Sequence, residues 1–283
     1  MQRTLGNTGL AVEAIGLGGM PLSIQNRPDE QTARSVIAAF VAGGGNHIDT
    51  AISYCLDDDD FGHNERLIAT TLKELGHADV VVATKGGLTR PGGRWDVDCS
   101  PKWLRRCCEQ SARTLGAPLA LYYLHTVDPR VPLADSVGEL VRLRDEGKIA
   151  RIGLSNVTAG HLEEALRLTP IAAVQNRCNV LDRRDFENGL VERCRALGIA
   201  YVPYSSVGGH GGHRRLKQYP VLARIAAKHS TTIYAIALKW LLAKGPHILP
   251  IPGATKISSV ENSLSAEHVL LDSDDLAALD ALS

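Results

Sequence analysis

The sequence predicts an α/β fold, a (β/α)8 barrel of the TIM type, from three observations. Short apolar runs alternate with amphipathic stretches along the whole chain, and strands alternating with helices imply a parallel sheet. Polar residues end three successive runs at Asp49, Lys85 and His125, 36 and 40 residues apart, and one strand-helix-strand unit needs upward of ~30. The length of 283 residues is near that of a single eight-fold barrel with modest insertions, so residues 1–283 are read as one domain.

Residues Arg3 to Ile15 place Gly6-Asn7-Thr8-Gly9 between short apolar stretches, which reads as a hairpin closing the bottom of the barrel. Ile15-Gly16-Leu17-Gly18-Gly19 then leads into the first barrel strand. From Asp29 to Ala42 apolar residues recur at 33, 36, 37, 40 and 41 behind an acidic first turn, and Gly43-Gly44-Gly45 stops the helix. A short strand starts at His47. The alternation then gives helices at Asn64 to Leu75, Pro101 to Leu115, Leu133 to Glu146, His161 to Leu168 and Asp185 to Leu197. Strands are expected between them at Val80 to Thr84, Leu119 to Leu124, Arg151 to Ser155, Ala172 to Gln175 and Ala200 to Tyr204. Helices at Pro220 to Lys228 and Ile233 to Ala243 precede an eighth strand, Ile248-Leu249-Pro250-Ile251, and helices at Val260 to Glu267 and Asp274 to Leu282 finish the outer ring.

The 31 basic residues equal the 31 acidic ones and the isoelectric point is about 7.1, which gives no electrostatic case for nucleic acid or an anionic membrane. No signal peptide and no apolar run long enough to span a bilayer is found, so a soluble, cytoplasmic protein is expected. The six cysteines show no Cys-x-x-Cys spacing and read as reduced, mostly packed thiols; adjacent Cys107 and Cys108 would point about 100° apart on a helix. No metal is expected: His210 and His213 lack a third ligand and a rigid helix.

The stretch from His47 to Tyr54 delivers a carboxylate, Asp49, and a phenol, Tyr54, to one place. A charge at the end of an apolar strand can reach a cleft instead of being buried unpaired. Alone, a solvated aspartate and a surface tyrosine would be the better reading. The run Val80 to Thr84 ending in Lys85 and the run Leu121 to Leu124 ending in His125 overturn it, because parallel strands bring all four groups to one end of the sheet.

This order of Asp, Tyr, Lys and His at strand ends resembles the aldo-keto reductase superfamily over nearly the whole chain. The resemblance is also carried by Gly62-His63-Asn64-Glu65, Glu146-Gly147-Lys148, Ile152-Gly153-Leu154-Ser155-Asn156, Gln175-Asn176, Tyr204-Ser205 and Ile251-Pro252-Gly253. It implies that Tyr54 is the general acid protonating a carbonyl oxygen as hydride arrives from a reduced nicotinamide, and that His125 hydrogen-bonds the same oxygen. Lys85 would tune the phenol, a poor acid at neutral pH until an ammonium stabilises its phenolate, and Asp49 would hold that ammonium.

No Gly-x-Gly-x-x-Gly follows the first strand, so a dinucleotide must be bound differently from a doubly wound fold. The resemblance assigns the nicotinamide amide to Ser155, Asn156 and Gln175, and the ring stack to Tyr204. Gly19 and Met20 after strand one, with Asp49, would lie against the cofactor. Ser205, Ser206, Val207 and Gly208 begin a loop, running on to Gly209-His210-Gly211-Gly212-His213, whose counterpart lies near the pyrophosphate. Ile251, Pro252, Gly253, Ala254, Thr255 and Lys256 match the segment gripping the 2′-phosphate, and Glu261 and Asn262 its adenine-contacting positions. On residues alone, Ser155 and Asn156 would read as a helix cap ahead of 161.

The implied function is a monomeric NADPH-dependent reductase of aldehydes or ketones, with NADH as the second cofactor choice and a small-molecule carbonyl compound as its only partner. Two alternatives are a cofactor-binding regulatory subunit with slow turnover and an alcohol dehydrogenase running in the oxidative direction. The chain departs from the family at Asp57-Asp58-Asp59-Asp60, where relatives make a short turn. The plainer reading is a solvated loop; the sharper one is an acidic rim that disfavours anionic substrates.

Overall fold

The computed structural model describes residues 1–209 and 212–282. The chain opens with an antiparallel hairpin, β1 (Gln2–Thr4) and β2 (Ala11–Glu13), in which Arg3 lies opposite Val12. Leu5 and Val12 join one apolar cluster with the inward-facing Leu121, Tyr123, Ala173, Ala200, Leu249 and Ile251, so the hairpin plugs the barrel. The guanidinium of Arg3 donates to the carbonyls of Leu242 (3.0 Å), Gly245 (2.8 Å) and Ile248 (2.6 Å), which fastens the plug to the turn feeding the last strand.

The barrel proper is a parallel sheet of β3 (Leu17–Gly18), β4 (His47–Asp49), β5 (Val81–Gly86), β8 (Leu121–Leu124), β9 (Ile152–Ser155), β10 (Ala173–Gln175) and β11 (Ala200–Tyr201), neighbours in that order. Residues 248–253 close it, pairing parallel with β11 through Tyr201 and Ile248 and with β3 through Gly18 and Gly253. Two prolines sit in this closing strand, and proline cannot donate to a ladder. The strand survives because Leu249 N–H supplies a donor toward β11 (2.9 Å to Tyr201 O). Pro250 and Pro252 need only accept from Gly16 and Gly18 on the other side, each at 3.0 Å. Gly18 is required there: a Cβ would lie 2.7 Å from the Ile251 carbonyl oxygen.

The helices follow the expected alternation: α1 (Glu30–Ala42), α2 (His63–Leu75), α3 (Pro101–Leu115), α4 (Leu133–Asp145), α5 (Ala159–Leu166), α6 (Arg184–Glu187), α7 (Leu190–Ala196), α8 (Pro220–Lys228), α9 (Ile233–Ala243), α10 (Ile257–Ser265) and α11 (Ser273–Asp280). Asp29, Ser100, Thr232 and Asp272 cap α1, α3, α9 and α11 by accepting from a first-turn N–H. The single helix expected over Asp185 to Leu197 is broken, because Gly189 adopts a left-handed φ of 81° and starts α7 afresh. α5 begins at Ala159, not His161, since Thr158 accepts from His161 N and His161 accepts back from Thr158 N, a capping box. Ser155 and Asn156 are therefore not the cap. A further hairpin, β6 (Leu88–Thr89) with β7 (Asp96–Val97), lies between β5 and α3 and was not expected. Its signal was the turn sequence Pro91-Gly92-Gly93.

All six cysteines are free and buried, and Cys107 and Cys108 lie on α3 as read. Among the described residues no helix is long and apolar enough to cross a membrane.

Candidate active site

The register of the parallel strands fixes the geometry. Asp49 pairs with Ala83 on β5, and Lys85, two residues further on, pairs with Tyr123 on β8, so both side chains emerge at the C-terminal end of the barrel. Lys85, with 0% of its surface exposed, donates to Asp49 Oδ2 at 2.6 Å, to the Thr50 carbonyl at 2.8 Å and to Tyr54 Oη at 3.0 Å. The ring of His125 stands edge-on to that of Tyr54 at 5.6 Å. Asp49, Tyr54, Lys85 and His125, from three strands and one loop, thus form one buried constellation.

Burial sets the electrostatics. It pushes the Asp49 pKa up and the Lys85 pKa down, and each partner's charge pulls the other way. Tyr54 is held well above 10 by burial and by the Asp49 carboxylate, so the phenol is stored protonated. His125 is pushed well below 6.5 by burial and by Lys85, and its imidazole is neutral at pH 7. Its Nδ1 is buried with no hydrogen-bond partner among the described residues.

The motif Gly62-His63-Asn64-Glu65 supports this site from behind. Asn64 donates to the Gly19 carbonyl (2.9 Å) and Ser23 Oγ (2.7 Å) and accepts from Thr50 Oγ1 (2.6 Å), locking the backbone on both sides of Asp49. A Cβ on Gly19 would strike Asn64 Oδ1 at 2.5 Å; the space this glycine leaves serves that contact. Glu65 Oε1 accepts from Thr84 (2.5 Å) and Ser111 (2.7 Å), while Oε2 is buried without a partner among the described residues.

Burial raises the Glu65 pKa to about 7. A carboxyl whose folded pKa exceeds its unfolded value stabilises fully below the unfolded pKa, and that contribution is lost as pH rises through the folded one. The contribution of Glu65 to stability is therefore expected to fall between about pH 4.5 and pH 7, by up to roughly 3 kcal/mol, against the opposite slope of the buried His47, whose pKa burial lowers to about 4. Glu65→Gln should remove that contribution, so that from pH 5 to pH 8 the variant loses less stability than wild type, or gains more, which chemical denaturation of both proteins at the two pH values would measure.

Other groups singled out in the sequence line the same end. Gln175 donates to Asp49 Oδ1 at 2.7 Å, and Tyr204 Oη donates to Asn156 Oδ1 at 2.7 Å. Asn156 is exposed with a left-handed φ of 56°, and its amide nitrogen donates to the His125 carbonyl at 2.9 Å. Asn176 fixes that turn by bonding both the N–H (3.0 Å) and the carbonyl (2.8 Å) of Val157. Ser205 (φ 53°), Gly208 (96°) and Gly209 (71°) form a left-handed turn around Ser206, whose hydroxyl is buried and unpartnered among the described residues. His210 and Gly211 lie outside the described residues, and with them half of the histidine pair considered as a metal site. Lys256 is exposed at the N-cap of α10, with Thr255 before it. Asn262 is bonded to Thr232 Oγ1 at 2.8 Å, and Glu261 is exposed beside it.

The β6–β7 hairpin adds two residues that sequence reasoning missed. Trp95 meets the Tyr54 ring edge-on at 6.5 Å, and the Arg90 guanidinium lies 3.9 Å from the Trp95 ring centre. The acidic run borders the same wall, with Asp58 and Asp59 exposed and Asp57 and Asp60 half-buried. Asp58 accepts from Gly92 N (2.9 Å), and Asp60 accepts from Leu56 N (3.1 Å) and pairs with Arg27.

The sequence profile of the Aldo/keto reductase family matches residues 14–283. A probable aldo-keto reductase of Glycine max is 35% identical over 96% of this chain and 86% of its own length. A thermostable aldo-keto reductase solved with the inhibitor epalrestat superposes with a TM-score of 0.83 at 29% identity over the whole of both chains. An aldo/keto reductase from Klebsiella pneumoniae, solved with NADP and acetate, gives 0.81 at 26% identity, covering 98% of this chain and 94% of that one. With a closed parallel barrel and an Asp, Tyr, Lys and His gathered at the C-terminal ends of its strands, the chain belongs to the aldo/keto reductase family and is an NAD(P)H-dependent oxidoreductase.

Proposed function

We propose that the protein reduces an aldehyde or ketone to the alcohol with NADPH and that Tyr54 gives the proton. The observation that carries this reading is the buried contact of Tyr54 Oη with Lys85 Nζ at 3.0 Å, itself anchored on Asp49 at 2.6 Å. A bound reduced nicotinamide supplies the hydride. As Tyr54 releases its proton to the carbonyl oxygen, charge grows on the phenol oxygen where an ammonium N–H already points at it. The neutral His125 ring offers the same carbonyl oxygen a hydrogen bond.

Burial and the Asp49 carboxylate keep Tyr54 protonated at neutral pH, the form that donates in reduction. The alkoxide that hydride transfer creates is a stronger base than phenolate, so a protonated phenol serves as donor; the reverse direction needs the phenolate that burial disfavours. A regulatory subunit would have no need of a four-group constellation held this tightly.

The residues fit the cofactor. Ser155, Asn156 and Gln175 would hold the carboxamide, beside Asp49, and Tyr204 would cover the ring; the Tyr204–Asn156 and Gln175–Asp49 bonds put their polar groups at this mouth. The buried Ser206 hydroxyl, unpartnered among the described residues, suits a phosphate oxygen. Gly19, Met20 and Ile251 to Gly253 would flank the dinucleotide, and Ala254, Thr255 and Lys256 would take the 2′-phosphate, with Glu261 and Asn262 near the adenine.

The test is NADPH oxidation across a panel of aldehydes and ketones; no turnover with any of them would sink the reading. For cofactor choice, Lys256→Met should raise the Kd for NADPH about tenfold, roughly 1.4 kcal/mol, and leave that for NADH unchanged. The Coulomb attraction of such a pair at 4 Å is ~4 kcal/mol at an effective dielectric of 20, and desolvation takes back most of it. Equal NADPH affinities for variant and wild type would defeat the 2′-phosphate assignment.

A further inference from the structure

Arg90 is buried at 0% exposure, yet among the described residues it has no ion pair. Its Nη2 donates to two neutral acceptors, Gln25 Oε1 at 3.1 Å and the Leu56 carbonyl at 2.9 Å. Its Nε and Nη1 are shielded from solvent and bond nothing among the described residues. A guanidinium carries five N–H donors and cannot shed its charge, so burying it with donors idle and no counter-charge is expensive. The nearby carboxylates do not repay that expense, because Asp60 is paired with Arg27 and Asp58 is bonded to Gly92 N. The Cys55 thiol lies against the guanidinium, but burial pushes its pKa up to about 11, so it stays neutral and supplies no counter-charge.

The position of this cation is informative. The Leu56 carbonyl it bonds is two residues beyond Tyr54, and one aromatic ring, Trp95, lies both against the guanidinium and against the Tyr54 ring. Trp95 is 47% exposed, so its ring lies against the guanidinium while part of the side chain faces solvent. Tyr54, against the Trp95 ring, and His125, against the Tyr54 ring, are each only 6% exposed. Swinging the indole outward would open the way to the phenol and bare the guanidinium in one movement, exchanging a cation–π contact for an anion with charge-assisted hydrogen bonds.

We propose that Arg90 is an anion-recognising group of the substrate mouth, and that the preferred substrates are carbonyl compounds bearing a carboxylate, admitted when Trp95 moves aside. The identity of the reacting group rests on the carbonyl reductase reading; the anion site does not. It reverses the preference for neutral substrates expected from the aspartate run.

Two measurements test the proposal. Benzoate, which has a carboxylate and no carbonyl to reduce, is titrated by calorimetry into wild type, Arg90→Met and Arg90→Lys. Separately, kcat/KM with NADPH is compared for 4-carboxybenzaldehyde and 4-nitrobenzaldehyde. Benzoate affinity and the carboxy-to-nitro ratio should each fall about tenfold or more in Arg90→Met, with Arg90→Lys in between. Trp95→Ala, at an exposed position, keeps the test alive if Arg90→Met does not fold: with the guanidinium uncovered, benzoate should bind severalfold tighter than to wild type. Benzoate binding indifferent to both substitutions overturns the anion site even if neutral aldehydes are reduced. Arg90-dependent benzoate binding without turnover of any aldehyde would instead leave the site standing and remove the carbonyl reductase reading.

Discussion

Tyr54→Phe is expected to lower the rate of carbonyl reduction by about 10²- to 10⁴-fold while NADPH still binds. The substitution removes one oxygen and keeps the ring that packs against His125 and Trp95, so the wall of the site should stay in place. Lys85 keeps two acceptors, Asp49 and the Thr50 carbonyl, so no charge is newly stranded and stability should change little. Single-turnover kinetics beside a fluorescence titration of NADPH separate the two effects. Near wild-type turnover with a standard aldehyde would remove Tyr54 from its role, and a lost affinity for NADPH would show that the phenol matters to the cofactor instead.

Lys85→Met should be the most damaging single change for the fold as well as for activity. It leaves the Asp49 carboxylate buried with, among the described residues, only the Gln175 amide on it. Removing one partner of a buried pair costs about 3–5 kcal/mol, which for a chain this size is roughly 5–8 °C in Tm. The loss should shrink as pH falls, because burial already raises the Asp49 pKa and a protonated Asp49 no longer needs the ammonium. The double variant Asp49→Asn with Lys85→Met removes both charges and should recover much of the lost Tm while remaining inactive. If Tm falls as far in the double variant as in the single one, packing of the lysine stem is what matters, not the stranded charge.

What could be read from the sequence was whatever local periodicity and strand register decide. Positions 33, 36, 37, 40 and 41 on α1 are the ones the structure buries, because a helix this amphipathic has one way to face a sheet. Asp49, Lys85 and His125 meet because successive parallel strands must carry their last residues to the same end. Contacts made by loops were not legible. Arg90 and Trp95 stand 36 and 41 residues beyond Tyr54, on a hairpin whose strands are two residues each and too short to show alternation. The acidic run looked like a charge patch because sequence does not reveal that Gly92 N and Arg27 would take up two of its carboxylates. Gly189 was read through as helix, since an isolated glycine inside a periodic segment is often tolerated and only its left-handed φ marks the break.

The way the ring is sealed bears on how the chain reaches its native state. The bonds from Arg3 to Leu242, Gly245 and Ile248 join residues 239 to 245 positions apart, and the Gly18–Gly253 pairing joins the same two ends. Contacts of such high sequence separation form last, after the entropy of closing the longest loop has been met. On the ribosome, β3 and β11 therefore wait as open strand edges while the intervening strands and helices assemble. Those unpaired edges are the surfaces through which two nascent copies would exchange strands or aggregate, and the interval ends only when residues 248–253 emerge and the hairpin takes hold of them.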